Sequence, residues 1–269
     1  MTVRVALPSR GRLRDGVLGL LEHAGYPAAP FHETEFLEMR PRDAGAWLAT
    51  GRISGAFIST DIVLEEDLGE LAAVPLGLAR SDLIVASRED DGRQRLADLA
   101  GATVATHLPG ATARWFARAG VPVSVVTMGG SLEGVCAAGL ADAIVDLRET
   151  GTSLARNRLR VLDVMAGCEA LFVHDRTGPL ADLVLRIGAV LKARDQRYVM
   201  LHLAPDRIGD LTAIFPGLAA PTVLPLAGRD DLVAVHLVVS AQAFWIHLAK
   251  LQELGASGIV ALPPSALLP

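Results

Sequence analysis

The chain has 269 residues, of which 51% are hydrophobic and 20% charged, and a formal net charge of −5. That balance excludes a disordered chain, and the length exceeds the roughly 150 residues of one average domain, so two or three compact units are expected. A net negative chain has no general attraction for polyphosphate backbones, so nucleic acid is not an expected partner and any phosphate must be held by local geometry. Residues 3–7 read as a short apolar strand that breaks at Pro8 and Gly11, and an amphipathic helix with Leu13, Val17, Leu20 and Leu21 follows. A strand over 36–39 precedes a helix that starts at Pro41 and Asp43, runs through Trp47 and Leu48, and stops at Gly51. Residues 56–59 and 83–86 are further buried strands, and the polar run 87–95 reads as a crossing between two lobes. The second lobe is expected to take a strand over 103–106, a helix over 112–119, a Val-rich strand over 121–126, a helix over 132–140 and a strand over 143–146. Such alternation argues for mostly parallel sheets with helices on both faces.

Residues 171–173 are expected to return to the first lobe, followed by an apolar helix over 180–191. From Tyr198 the rhythm changes to strand, helix, strand, strand, helix, strand over 198–203, 208–215, 222–226, 232–239, 243–254 and 258–262. That βαββαβ order gives an antiparallel sheet with two helices on one face, a ferredoxin-like unit. The expected organisation is α/β: a first lobe over 1–88 to which 171–194 return, a second lobe over 89–170, and a C-terminal domain over 195–269. The most apolar stretch, 232–249, is interrupted by His236, Gln242 and His247 and changes period midway, so it does not read as a membrane span. The N-terminus shows no signal-peptide pattern, and a cytoplasmic protein is expected.

The strongest local signal is the apolar strand from Asp142 to Asp146 that runs into Glu149, Thr150, Gly151, Thr152, Ser153 and Leu154, a hydroxyl-rich glycine turn at a helix start. Unpaired first-turn N–H groups and the helix dipole favour a phosphate there, and Gly151 lets it approach the backbone. Asp146 and Glu149 have the oxygen chemistry to accept from ribose hydroxyls or to hold Mg²⁺. An ordinary βα turn capped by Thr150 or Thr152 accounts for the same spacing. Arg10, Gly11 and Arg12, with Arg40, Arg42 and Asp43, follow strand ends in the first lobe, where guanidinium forks suit diphosphate oxygens; solvated loop arginines are the plainer reading.

The histidines, His23, His32, His107, His174, His202, His236 and His247, show no metal spacing, and no zinc site is expected. Cys136 and Cys168 read as reduced core residues. Glu33, Glu35, Glu65, Glu66 and Asp67 read as a solvated acidic face.

Taken in order, several segments resemble the long form of ATP phosphoribosyltransferase, the first enzyme of histidine biosynthesis. They are Ala6 to Leu13, Arg40 to Asp43, Asp61, Val104 to Thr106 with Pro109, Gly130 to Glu133, Gly139 to Asp146, Glu149 to Leu154 with Asn157 and Leu159, Pro216 and Gly217 with Pro221 and Thr222, and 251–260 with Gly255 and Ala256. The resemblance implies a two-lobed core like that of periplasmic binding proteins with an ACT-like C-terminal domain. It also implies a Mg²⁺-assisted site for PRPP, attack by adenine N1, and a homo-oligomer, hexamer or dimer. On this reading Arg12, Arg40 and Glu133 are the catalytic groups. Asp146, Glu149, Thr150, Gly151, Thr152, Ser153 and Leu154 bind PRPP. Arg12, Asp61, His107 and Leu108 face the acceptor, and Asp146 and Glu149 hold the metal.

The chain departs from the family at Ser54 and Ser59, where an acidic residue and a second glycine are usual. It departs again at His107, Leu108, Pro109 and Gly110, where Lys-Tyr-Pro-Asn is usual, and at Ala113, which replaces a basic residue. The segment 25–38 is also shorter than usual, and His202 stands where some members that bind histidine as a feedback inhibitor carry an acidic residue. The donor loop is kept and the acceptor side is altered. Three functions are therefore carried forward: ATP phosphoribosyltransferase, a paralogue that gives phosphoribosyl to another nitrogenous or aromatic acceptor, and a non-catalytic small-molecule binder with the same hinge fold.

Overall fold

The computed structural model describes residues 3–29, 34–175, 178–215 and 220–268. The sequence features at His32, Glu33, Pro216 and Gly217 lie outside them. The chain divides into two compact units, residues 1–19 with 30–182, and residues 20–29 with 183–269.

The first unit holds two sheets. Its opening elements are β1 (Val3–Pro8), α1 (Arg12–His23), of which residues 12–19 belong here, β2 (Thr34–Met39), α2 (Pro41–Ala49), β3 (Gly55–Ser59), α3 (Thr60–Glu65) and β4 (Ala72–Pro75). The α2 start follows its residues: Pro41 presets the first helical φ, and Asp43 sits in the first turn, where the helix dipole favours a carboxylate. The chain then builds β5 (Ser81–Arg88), β6 (Thr103–Thr106), α4 (Pro109–Ala119), β7 (Ser124–Thr127), α5 (Leu132–Ala137), β8 (Ala143–Arg148), α6 (Thr152–Arg156) and β9 (Leu159–Cys168), and returns as β10 (Ala170–His174). Strand order is β2-β1-β3-β10-β4 in one sheet and β7-β6-β8-β5-β9 in the other. In the first sheet β1 runs parallel to β2 and β3, and β10 is antiparallel to β3 and β4. The second sheet follows the same plan, with β6 parallel to β7 and β8, and β5 antiparallel to β8 and β9.

The chain crosses between the lobes twice, from β4 to β5 and from β9 to β10. The crossings are bonded to each other, Leu76 N–H donating to Ala170 O at 2.9 Å and Ala170 N–H to Leu78 O at 2.8 Å. One buried cluster contains Ile58 and Val173 from the first sheet with Val85, Val104 and Val145 from the second, each at most 1% exposed. Full burial of such side chains contributes about 1.5–3 kcal/mol each.

Three expectations change here. The strand around 83–86 belongs to the second lobe, so the crossing precedes it at 76–80 and is not the run 87–95. Four consecutive buried apolar residues mark a strand covered on both faces but do not say which sheet covers it. Three elements, α3, β4 and β9, were not expected from the sequence: α3 and β4 are short, and β9 pairs with β5 through two register shifts that blur its alternation. β10 does return to the first sheet as expected, but α7 (Ala181–Ala193) groups from residue 183 onward with the C-terminal unit.

In the second unit, residues 20–29 and α7 are joined by Arg186 Nη1 donating to Ala29 O at 3.0 Å. After α7 come β11 (Gln196–Leu203), α8 (Ile208–Ile214), β12 (Thr222–Leu226), β13 (Arg229–Ser240), α9 (Ala241–Glu253) and β14 (Ser257–Leu262), in sheet order β12-β13-β11-β14 with every pair antiparallel. This is the ferredoxin-like arrangement. Period-two alternation sends Val199, Leu201 and Leu203 with Val235, Leu237 and Val239 into a core with Leu211, Phe215, Phe244 and Leu251 from the helices. Tyr198 and His236 alternate to the other face, where the phenol oxygen lies 2.6 Å from His236 Nδ1. Ser240 caps α9, accepting from Ala243 N–H at 3.1 Å. No helix among the described residues is long and apolar enough to cross a membrane.

Candidate active site

Ligands in open α/β sheets sit beyond the carboxyl ends of the strands. The residues singled out in the sequence follow such ends: Arg10 and Arg12 after β1, Arg40 after β2, Asp61 after β3, His107 after β6, and Asp146 to Ser153 at the end of β8. The β8 turn is the best defined. Gly151 is its helix N-cap at φ +77° and ψ 0°, left-handed backbone that an L-residue adopts only with strain. Among the described residues no side chain caps α6. The Thr150 and Thr152 hydroxyls instead lie 3.1 Å from each other. A plain capped turn is therefore not what forms, and the first-turn N–H groups of α6 are left for another acceptor.

Around that turn, Arg12 Nη2 lies 2.6 Å from both Glu149 carboxylate oxygens, joining the first lobe to the loop. The bond and the charge of Glu149 raise the Arg12 pKa further. Ser153 Oγ donates to Glu133 Oε1 at 2.6 Å, and Asn157 Nδ2 donates to Ser153 O at 2.9 Å, which fixes the far side of the loop. Asp146 Oδ1 accepts from Leu147 N–H at 2.8 Å and lies 3.6 Å from His107 Nδ1. Burial raises the Asp146 pKa, and the charges of Glu133 and Asp61 push the same way while the Leu147 N–H and His107 oppose them. Asp61 is itself only 3% exposed, and its Oδ1 has no hydrogen-bond partner among the described residues.

The structure thus brings together Arg12 with Glu149, Glu133 with Ser153, and Asp146 with His107. Arg40 is exposed at the N-cap of α2 and forms no ion pair among the described residues. Leu154 is buried at 8% exposure and anchors α6 in the core. Leu108 is wholly buried in the core cluster, so its side chain offers no surface to an acceptor, contrary to the expected apolar contact. A cavity of about 460 Å³ beside the loop is lined by Arg80, Asp82, Arg148, Glu149 and Glu169, among others, with Arg148 Nη2 bonded to Asp82 Oδ2 at 2.5 Å. Sequence reasoning missed Arg80 and Arg148, although Arg148 stands between two residues that it did select.

The acids fit a divalent metal in one respect. Among the described residues no three His, Cys, Asp or Glu side chains form a metal cage. Mg²⁺ seldom uses a dedicated cage; it keeps water and binds through substrate phosphates with one or two carboxylates. Asp146, with the unpartnered Asp61 oxygen within its electrostatic reach, supplies hard oxygen donors of that kind.

Residues 40–192 match the family model for ATP phosphoribosyltransferase, and residues 193–265 match that for the HisG C-terminal domain. The chain is 34% identical to the ATP phosphoribosyltransferase of Gemmatimonas aurantiaca, covering 99% of this chain and 100% of that one. It is 32% identical to that of Maricaulis maris, covering 99% and 98%. Among solved structures, an ATP phosphoribosyl transferase (HisG:HisZ) complex from Thermotoga maritima aligns with a TM-score of 0.57 and 25% identity, covering 69% of this chain and 96% of that one. A Xanthomonas citri protein solved bound to ATP aligns with a TM-score of 0.51 at 16% identity, covering 79% and 88%, and shares the fold.

Proposed function

We propose, because this chain belongs to the ATP phosphoribosyltransferase family, that it transfers the phosphoribosyl group of PRPP to N1 of the adenine of ATP and releases diphosphate, the first step of histidine biosynthesis. The observation that carries the reading is the Glu149 to Leu154 loop: an uncapped helix start with left-handed Gly151, held between Arg12 and Glu133. The 5-phosphate accepts from the first-turn N–H groups, that of Ser153 included, and from the Thr150 and Thr152 hydroxyls, while the Ser153 hydroxyl stays bonded to Glu133. Asp146 accepts from a ribose hydroxyl, and Glu149 joins it once the diphosphate draws Arg12 away. Arg12 and Arg40 neutralise the diphosphate. Glu133 acts through Ser153, holding the loop in place.

The N1–C1′ bond forms as the C1′–O bond to diphosphate breaks, through an oxocarbenium-like state. N1 carries a lone pair, so no enzyme nucleophile or strong base is required, and positioning with exclusion of water does most of the catalysis. Asp146 would hold Mg²⁺, joined by Glu149 only after Arg12 has left its carboxylate, and the ion would supply neutralisation of charge on the departing diphosphate. His107 flanks the acceptor, while the buried Asp61 and Leu108 act from behind it, Leu108 only by anchoring the segment in the core and not by touching the acceptor. Copies of the chain assemble as a homo-oligomer on this reading, which sedimentation would check. The test of the function is steady-state formation of phosphoribosyl-ATP at saturating PRPP and Mg²⁺. Folded, PRPP-binding protein that makes no such product would overturn the ATP reading in favour of another nitrogenous acceptor.

A further inference from the structure

The acceptor-side helix α4 has an unusual start. Its N-cap is Leu108, whose side chain cannot accept a hydrogen bond, and Pro109 at the first helical position has no N–H. Gly110 and Ala111 are left with first-turn donors. Both are taken by one carboxylate from another element: Glu65, the last residue of α3, accepts from Gly110 N–H at 3.1 Å through Oε1 and from Ala111 N–H at 2.8 Å through Oε2. The return contact closes the pair. Arg114, in the second turn of α4, donates to the Leu64 carbonyl and, at 2.9 Å, to the Glu65 carbonyl, satisfying the C-terminal end of α3. Gly110 is the residue that permits this approach: a Cβ there would lie 3.1 Å from Glu65 O and 3.3 Å from Glu65 Oε2. Far from being part of a solvated acidic face, Glu65 is half-buried and fully engaged.

We infer that Glu65 is a positioning residue for the acceptor, acting through α4. α3 follows a strand of the first sheet and α4 a strand of the second, so the bond ties the acceptor-side segment of one lobe to the other. Within its own lobe that segment is held by Leu108 N–H donating to Thr106 Oγ1 at 2.9 Å, and by the Thr112 hydroxyl 3.3 Å from the same oxygen. The polar group it presents is His107, 3.6 Å from Asp146. The Glu65 carboxylate also occupies the Gly110 and Ala111 donors at the start of α4, so neither is free for a substrate phosphate. Removing the carboxylate leaves two part-buried donors unpaired and lets residues 107–111 shift, while the α6 loop keeps its own contacts through Arg12 and Glu133.

The inference rests on the proposed reaction, and its test separates the two. Glu65→Ala is expected to raise the KM for ATP roughly ten- to hundredfold, the loss of one charge-assisted pair, with the KM for PRPP within about twofold. Glu65→Gln, which still accepts one bond, should recover most of it. Exchange of the Gly110 and Ala111 amides, followed by NMR or mass spectrometry, should quicken more than about tenfold in Glu65→Ala. Should Glu65→Ala fold poorly, Gly110→Ala forces the same contact apart and should give the same ATP-selective change. An unchanged KM for ATP, or equal rises for both substrates, overturns the positioning role. Wild-type protein that makes no phosphoribosyl-ATP overturns the functional reading instead.

Discussion

Replacing Gly151 with Ala isolates what the β8 turn does for phosphate. The added Cβ meets only Arg148 Cδ, at 3.8 Å, so there is room for it, but φ is +77°. An L-residue in that region costs about 1–2 kcal/mol. Gly228, in the turn between β12 and β13, offers a control in the other unit: φ is +72°, and a Cβ added there meets nothing within 4 Å. Ala at either position should lower the stability of its own unit by that same amount, a fall of roughly 2–8 °C in the transition of the larger unit for Gly151 and roughly 4–16 °C in that of the smaller unit for Gly228. Only Gly151→Ala should weaken PRPP. Escaping the strain turns the backbone N–H groups away from the 5-phosphate, and a hydrogen bond to a charged group is worth about 1.5–3 kcal/mol, or roughly ten- to hundredfold in Kd. Calorimetric titration of PRPP with Mg²⁺ into both variants decides it. An unchanged Kd in Gly151→Ala, or an equal loss in Gly228→Ala, would refute phosphate binding at this loop.

Asp146→Asn should abolish turnover yet leave the protein as stable or more stable at neutral pH. The native pKa of Asp146 is raised by burial, so the protonated form favours folding at low pH, and that contribution is lost as pH rises through the native pKa. Denaturant titrations of both forms across pH would show the advantage of Asn growing with pH; a constant difference would contradict it. Leu108→Tyr should cost about 1–3 kcal/mol by overfilling a closed core and leave the KM for ATP no lower than before, and a lowered KM would mean that position 108 reaches the substrate. Burial pushes the Cys136 thiol up to about 11 and the Cys168 thiol up to about 12. Neither should therefore react with iodoacetamide at pH 8 until the chain is unfolded, and mass spectrometry of native protein showing either adduct would refute their burial.

Much of this protein was decided locally. The βαββαβ order of the C-terminal unit was legible because its two central strands alternate, Val199, Leu201 and Leu203 of β11 inward with Tyr198 outward and Val235, Leu237 and Val239 of β13 inward with His236 outward, and alternation is a property of neighbouring residues. The β8 turn was legible for the same reason, since its hydroxyls, its glycine and its acids lie within nine positions. Tertiary structure alone decided which sheet receives β5, because Leu83, Ile84, Val85 and Ala86 are apolar on both faces and would suit either. It also decided that Leu108 turns into the core, that Asp61 is buried with an oxygen unpaired among the described residues, and that the half-buried Glu65 caps a helix 45 residues further along the chain. The physical reason is shared. A side chain's type states what it can bond to, but its burial and partner depend on which distant segment packs over it, and such pairings leave no period in the sequence.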